Sequence, residues 1–196
     1  MTEPAPTSGS ALSRLAAALG PHEKRKGPPP VERWNPAYCG EIDMRIAADG
    51  TWHYMGTPIN RPALVRLFST VLRRDQERYV LVTPVERVGI AVEDVPFVAV
   101  EMAVEGEGEA RQVAFRTNVD DLVQAGPDHP LRFATDPHGG VKPYVKVRGD
   151  LWARVTRALA FDLIALGEER TVEGVPQFGL HAGGVFFPIA PADEAR

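Results

Sequence analysis

Cysteine is almost missing from this chain: Cys39 stands alone among 196 residues. No intramolecular disulfide can form, which fits a reducing compartment, and zinc clusters built on several cysteines are excluded. Long apolar runs are missing as well. No stretch approaches the roughly 20 consecutive residues that a helix needs to span a bilayer. The apolar patch in MTEPAPTSGSALSRLAAALG has no basic segment before it, as a secretory signal requires. Positive charge is in deficit, with 22 Lys and Arg against 26 Asp and Glu and a net charge of −4. A dedicated nucleic-acid binder is usually basic overall. The expectation is a cytoplasmic protein with neither nucleic acid nor membrane as a partner.

Catalytic signatures are lacking too. The chain has no P-loop, no G-x-G-x-x-G after a strand, no G-x-S-x-G and no H-E-x-x-H. Ser69 falls inside an expected helix and the other serines lie in the N-terminal segment, so no serine nucleophile is placed. His22, His53, His129, His138 and His181 are scattered with no close pair. The carboxylate pairs Glu93-Asp94 and Asp120-Asp121 are neighbours on extended segments. Such neighbours point to opposite faces and make no dyad; Asp94 and Asp120 read as turn and cap residues. Gly106-Glu107-Gly108 is a hairpin tip whose acids, with Glu109, repel phosphate. No catalytic residue, cofactor or metal is indicated.

What is present is a large apolar fraction, 44%, and clear element signals. Residues 1–35 read as a flexible Pro-rich tail, with a short helix over 11–19 capped by Ser10 and a solvated basic run at 22–26. An N-terminal α+β domain is expected over 36–85, and a mostly-β C-terminal domain with one long helix over 86–196. Glu41 to Ile46 alternates, Asp49-Gly50 signals a hairpin, and Thr51 to Met55 returns. A helix opens at Pro62, a position that proline favours at a first turn. Its stripe is Leu64, Leu67, Phe68, Val71 and Leu72, with Arg73 and Arg74 in the last turn. Strands follow over 79–83, 88–92, 97–104, 112–118, 131–134 and 144–148. A second helix is expected from Asp150, as N-cap, to Leu166, ended by Gly167 in the left-handed conformation. A hairpin around Gly183-Gly184 closes the chain. Setting Asn60 against Asp150 suggests a repeated strand–helix–strand pattern, hence a duplicated β-β-α-β core with largely antiparallel sheets.

The polar faces of the strands collect cations. Tyr144, Lys146 and Arg148 alternate with Val145 and Val147; Arg116 and Asn118 alternate with Phe115 and Thr117; Arg132 lies between Leu131 and Phe133. Arg suits phosphate through its planar fork, so these residues define either an anion pocket or a solvent-facing surface paired with carboxylates. Arg61, beside the free N–H groups of the first helix, is a further anion candidate. It reads either as that helix's N-cap or as its first residue after Asn60. Tyr144 or Trp52 offers a ring for stacking; Trp52 also fits the core.

The segments DGTWHYMGTPINRPALVRLF, RYVLVTPVERVGIAVEDVPFVAVEM, FRTNVDD, GPDHPLRF, KPYVKVRGDL and GGVFFPI occur in this order. Together, from about Tyr38 to Ile189, the chain resembles a bacterial family, domain of unknown function 1285. The resemblance implies a duplicated core, with a C-terminal domain superficially like a pleckstrin-homology fold. It implies a pocket between the two domains for a nucleotide-like ligand, and a role in signal transduction, with oxidative stress as one setting. It assigns no catalytic residue. The expectation is therefore a cytoplasmic ligand-binding module for a nucleotide-like or phosphate-bearing small molecule, contacted by Arg61, Arg116, Asn118, Tyr144, Lys146 and Arg148. The alternatives are an enzyme acting on a similar ligand and a protein–protein interaction scaffold.

Overall fold

The computed structural model of the chain describes residues 14, 15, 17 and 28–192. The helix expected over 11–19, its cap Ser10 and the basic run 22–26 otherwise lie outside the described residues. The chain divides into two units, Met1–Pro96 and Phe97–Arg196.

The first unit runs Tyr38–Ile46 (β1), Trp52–Tyr54 (β2), Thr57–Pro58 (β3), Pro62–Thr70 (α1), Leu72–Asp75 (β4), Arg78–Val82 (β5) and Arg87–Val92 (β6). Its strands form one sheet in the order β3-β2-β1-β6-β5-β4. Every neighbouring pair is antiparallel except β1 with β6, which are parallel. The sheet is thus two three-stranded meanders whose first and last strands meet in the middle.

The second unit repeats this plan. Phe97–Glu105 (β7), Gln112–Thr117 (β8) and Leu122–Gln124 (β9) form one meander. Leu131–Thr135 (β10), Val141–Arg148 (β11) and Leu151–Val155 (β12) form the other. The order is β10-β11-β12-β7-β8-β9, and again only the central pair, β12 with β7, is parallel. Arg157–Ala165 (α2) follows, then an antiparallel sheet of Glu168–Val172 (β13), Val175–Ala182 (β14) and Val185–Pro191 (β15). The class is α+β with a duplicated, largely antiparallel core. The two meanders followed by α2 keep the superficial pleckstrin-homology likeness.

The duplication differs in register from the one expected. Strand order equates 38–92 with 97–155, so Asn60 and Asp150 are not counterparts. In the first unit α1 separates the two meanders; in the second α2 comes after both. The division also falls later than 85/86, because Arg87–Val92 pairs with both β1 and β5 and completes the first sheet.

Local chemistry explains the elements. Asp49 accepts a hydrogen bond from the Thr51 N–H at 2.8 Å, and Gly50 takes φ +87°, which closes the turn between β1 and β2. Met44, Ile46 and Trp52 are buried on one side of that hairpin. Phe68 of α1 stacks on Trp52 with ring centres 6.5 Å apart, so Trp52 belongs to the core. The helix ends at Thr70, where the Ser69 and Thr70 hydroxyls donate back to the Arg66 and Leu67 carbonyls at 2.7 Å each.

Two helix expectations are corrected. Leu72, Arg73 and Arg74 are not the last turn of α1 but the edge strand β4, with Leu72 opposite Leu81. Leu72 fits the helical stripe by spacing, yet a strand buries it equally well. The second helix does not begin at Asp150. Leu151, Ala153 and Val155 are buried at period two in β12, between β11 and β7, and α2 starts only after Thr156. Gly167 is also not left-handed, since its φ is not positive. A side chain there would collide with the Phe178 ring, so close packing demands the glycine. The Leu166 carbonyl at the end of α2 accepts a bond from Arg111 at 2.9 Å, favourable charge for a helix C-terminus.

Candidate functional site on the second unit

Five of the six expected ligand contacts belong to the second unit and Arg61 to the first. The structure separates them by what already holds them. Arg116 donates from Nε to Glu101 at 2.7 Å and from Nη2 to the other Glu101 oxygen, while Nη1 reaches Asp120 at 2.8 Å. These bonds raise the Arg116 pKa, with the Glu101 bond first and the Asp120 bond second. The Arg116 bond likewise lowers Glu101. Asn118 accepts from the Val98 N–H at 3.0 Å and donates its own N–H to the Val98 carbonyl at 2.8 Å, pinning the start of β7. Arg148 bonds Asp121 and lies 5.0 Å from the centre of the Phe97 ring. Asp120, read as a turn or cap residue, and its neighbour Asp121 are partners of these two arginines.

Arg61 is exposed at the start of α1 with extended backbone angles of −121° and 94°, and Pro62 occupies the first helical position. It is the N-cap residue by backbone geometry. Its side chain makes no capping bond.

Tyr144 and Lys146 have different surroundings. In register, Tyr144 faces Arg132 on one side and Arg154 on the other; Lys146 faces Trp152, and Lys142 faces Ala134. Directly opposed residues share a sheet face. One face of β10–β11–β12 therefore carries Arg132, Lys142, Tyr144, Lys146, Trp152 and Arg154. The Arg132 guanidinium lies 4.8 Å from the Tyr144 ring centre and 4.4 Å from that of Trp152. It is itself exposed, whereas Tyr144 is buried beneath it. The Trp152 indole N–H donates to Asp150 at 3.2 Å. Among the described residues, Arg132, Lys142, Lys146 and Arg154 form no ion pair with a carboxylate.

Trp152 and Arg154 escaped sequence reasoning because the expected helix from Asp150 absorbed them. The alternation of Leu151, Ala153 and Val155 was the signal that places both on a strand face.

The first unit carries its own arginines, around a cleft of about 1120 Å³ lined by Arg73, Arg74, Arg78 and Arg87. Asp75 stands among them. Arg73 grips it through Nε at 2.6 Å and Nη2 at 3.0 Å, and Arg87 adds a bond at 2.9 Å. Arg73 also donates to the Val31 and Trp34 carbonyls at 2.7 and 2.8 Å. The Arg73 bond, ahead of the Arg87 charge, holds the Asp75 carboxyl below the usual carboxylate range. This cluster ties the segment before β1 to β4, and Asp75 engages two of its arginines, Arg73 and Arg87.

The chain matches two family models in succession. Residues 29–95 match the N-terminal domain of DUF1285, a domain of unknown function, and residues 96–189 match the DUF1285 C-terminal domain. The chain belongs to the DUF1285 family. It is similar to a solved DUF1285 protein from Silicibacter pomeroyi DSS-3, with 50% identity, a TM-score of 0.84, and coverage of 94% of this chain and 97% of that one. A second DUF1285 structure, from Shewanella baltica OS155, shares the fold at 23% identity and a TM-score of 0.50, covering 64% of this chain and 92% of that one. No curated protein matches. Among the described residues, no helix is long and apolar enough to cross a membrane.

Proposed function

We propose that the second unit binds a small phosphate-bearing molecule with a planar ring, and that this DUF1285 chain serves as a cytoplasmic ligand-binding module in signal transduction. The observation behind this reading is the group Arg132, Lys142, Lys146 and Arg154, four cations on one sheet face with no carboxylate ion pair among the described residues. In a chain of net charge −4, such a group is unusual. Two like charges about 8 Å apart repel by up to about 2 kcal/mol at an effective dielectric of about 20. A bound phosphate reverses that term.

The ring preference rests on Arg132. Its guanidinium lies against the Trp152 and Tyr144 rings, and the residue is exposed. A flat base stacks on a guanidinium plane as it does on an aromatic ring. Arg116, Asn118 and Arg148 leave the ligand set, because they already serve acids or backbone. Lys146 and Tyr144 remain in it.

Calorimetric titration with adenosine phosphates and with inorganic phosphate tests this. The reading expects nucleotide to bind more tightly than phosphate and Lys146→Gln to weaken both. Absence of binding by every probe at millimolar concentration overturns it.

A further inference from the structure

Beside this face, β11, β12 and α2 border a second, partly open space. The cavity measures about 600 Å³, within the roughly 300–1,000 Å³ typical of small-molecule pockets. Its apolar lining comes from Val141, Pro143, Val155, Ala160, Phe161 and Ile164. Phe161 is 64% exposed, an unusual state for a phenylalanine on a helix that packs against β11 and β7.

The polar lining is asymmetric in charge. Its basic lining residues are Lys142, Arg154 and Arg157; Asp136 is the one carboxylate, and His138 completes the set. Of the three, Arg157 belongs to α2, while Lys142 and Arg154 sit on the Tyr144 face of the sheet. Asp136 is already engaged by the Gly140 and His138 N–H groups at 2.9 and 2.7 Å. Those two bonds lower its pKa first, with Lys142 a smaller influence. None of the three cations forms an ion pair among the described residues, and Arg157 lies 5.8 Å from the Phe161 ring centre.

We propose that this cavity holds a medium-chain fatty carboxylate, with its chain against Phe161, Ile164 and Val155 and its carboxylate at Arg157. An arginine fork takes a carboxylate through two parallel bonds, and an alkyl chain removes the exposed apolar lining from water. This site shares the lining residues Lys142 and Arg154 with the cation face but includes neither Arg132 nor Lys146.

The test is titration of the full chain with decanoate, with decanol and inorganic phosphate as comparison probes. Decanoate should bind at least tenfold more tightly than decanol. Arg157→Gln, at an exposed position, should weaken it about tenfold, and Ile164→Trp should abolish it by filling the cavity. Lys146→Gln should leave decanoate binding unchanged while weakening nucleotide binding. Equal binding of decanoate and decanol, or decanoate binding indifferent to both cavity variants, overturns the proposal. So does a chain that binds phosphate or nucleotide but no decanoate, and that outcome leaves the stacking-face reading standing. The reverse pattern, decanoate without nucleotide, supports the cavity and removes the face.

Discussion

The Arg132 guanidinium stands 4.4 Å from the centre of the Trp152 ring. Trp152 lies on β12 and Arg132 on β10, with β11 and its Tyr144 between them. The two ring contacts hold a long, exposed side chain near the sheet, so a stacking ligand meets a partly ordered surface. Less conformational entropy is then lost on binding.

Arg132→Gln should lower nucleotide affinity about tenfold. Arg132→Lys should recover only part of it, because the charge returns without the plane. Stability should change by no more than about 1 kcal/mol, the scale of an exposed cation–π contact. Calorimetric titration beside thermal melts checks both.

Arg116→Gln should leave ligand affinity unchanged. Its three donors already serve Glu101 and Asp120. The same titration, run on this variant, separates a structural ion pair from a binding group.

Arg73→Ala should destabilise the first unit by about 2–3 kcal/mol, since a mostly buried charged partner is removed and Asp75 and two carbonyls lose their donors. Urea unfolding followed through tryptophan fluorescence measures it. Ligand binding by the second unit should be unaffected.

Acid should unfold the protein through carboxylates held low. Asp75 is lowered chiefly by its bond from Arg73, and Asp49, Glu93, Glu101 and Asp136 are lowered by their own hydrogen bonds. A depressed folded-state pKa means that the unfolded chain binds more protons as pH falls. The stabilisation is complete above the unfolded value near 4 and is lost as pH drops through the lower folded values. Urea midpoints should therefore hold steady from pH 7 to about 5 and fall below about 4. Asp75→Asn should lower the midpoint at pH 7 and flatten the acid fall.

The sequence made the strands more legible than the helices. Gln112 to Thr117 alternates without ambiguity, and the structure buries Val113, Phe115 and Thr117 as that pattern requires. Trp152 and Val155 are three apart, which suits a helix face, while Leu151, Ala153 and Val155 suit a strand; only pairing with β11 and β7 decides between them. The candidate site was half legible for a related reason. Alternation located Tyr144, Lys146 and Arg132 on polar faces. It carried no information about which arginine meets an acid, because Glu101 reaches Arg116 only through the pairing of β7 with β8.

The most direct measurement is a calorimetric titration of adenosine phosphate into the native chain and into the Arg132→Gln, Lys146→Gln double variant, with melts confirming that both are folded. The account predicts binding to the native chain and a loss of at least tenfold in the variant. Equal affinity in the two, or no binding to the native chain, contradicts it.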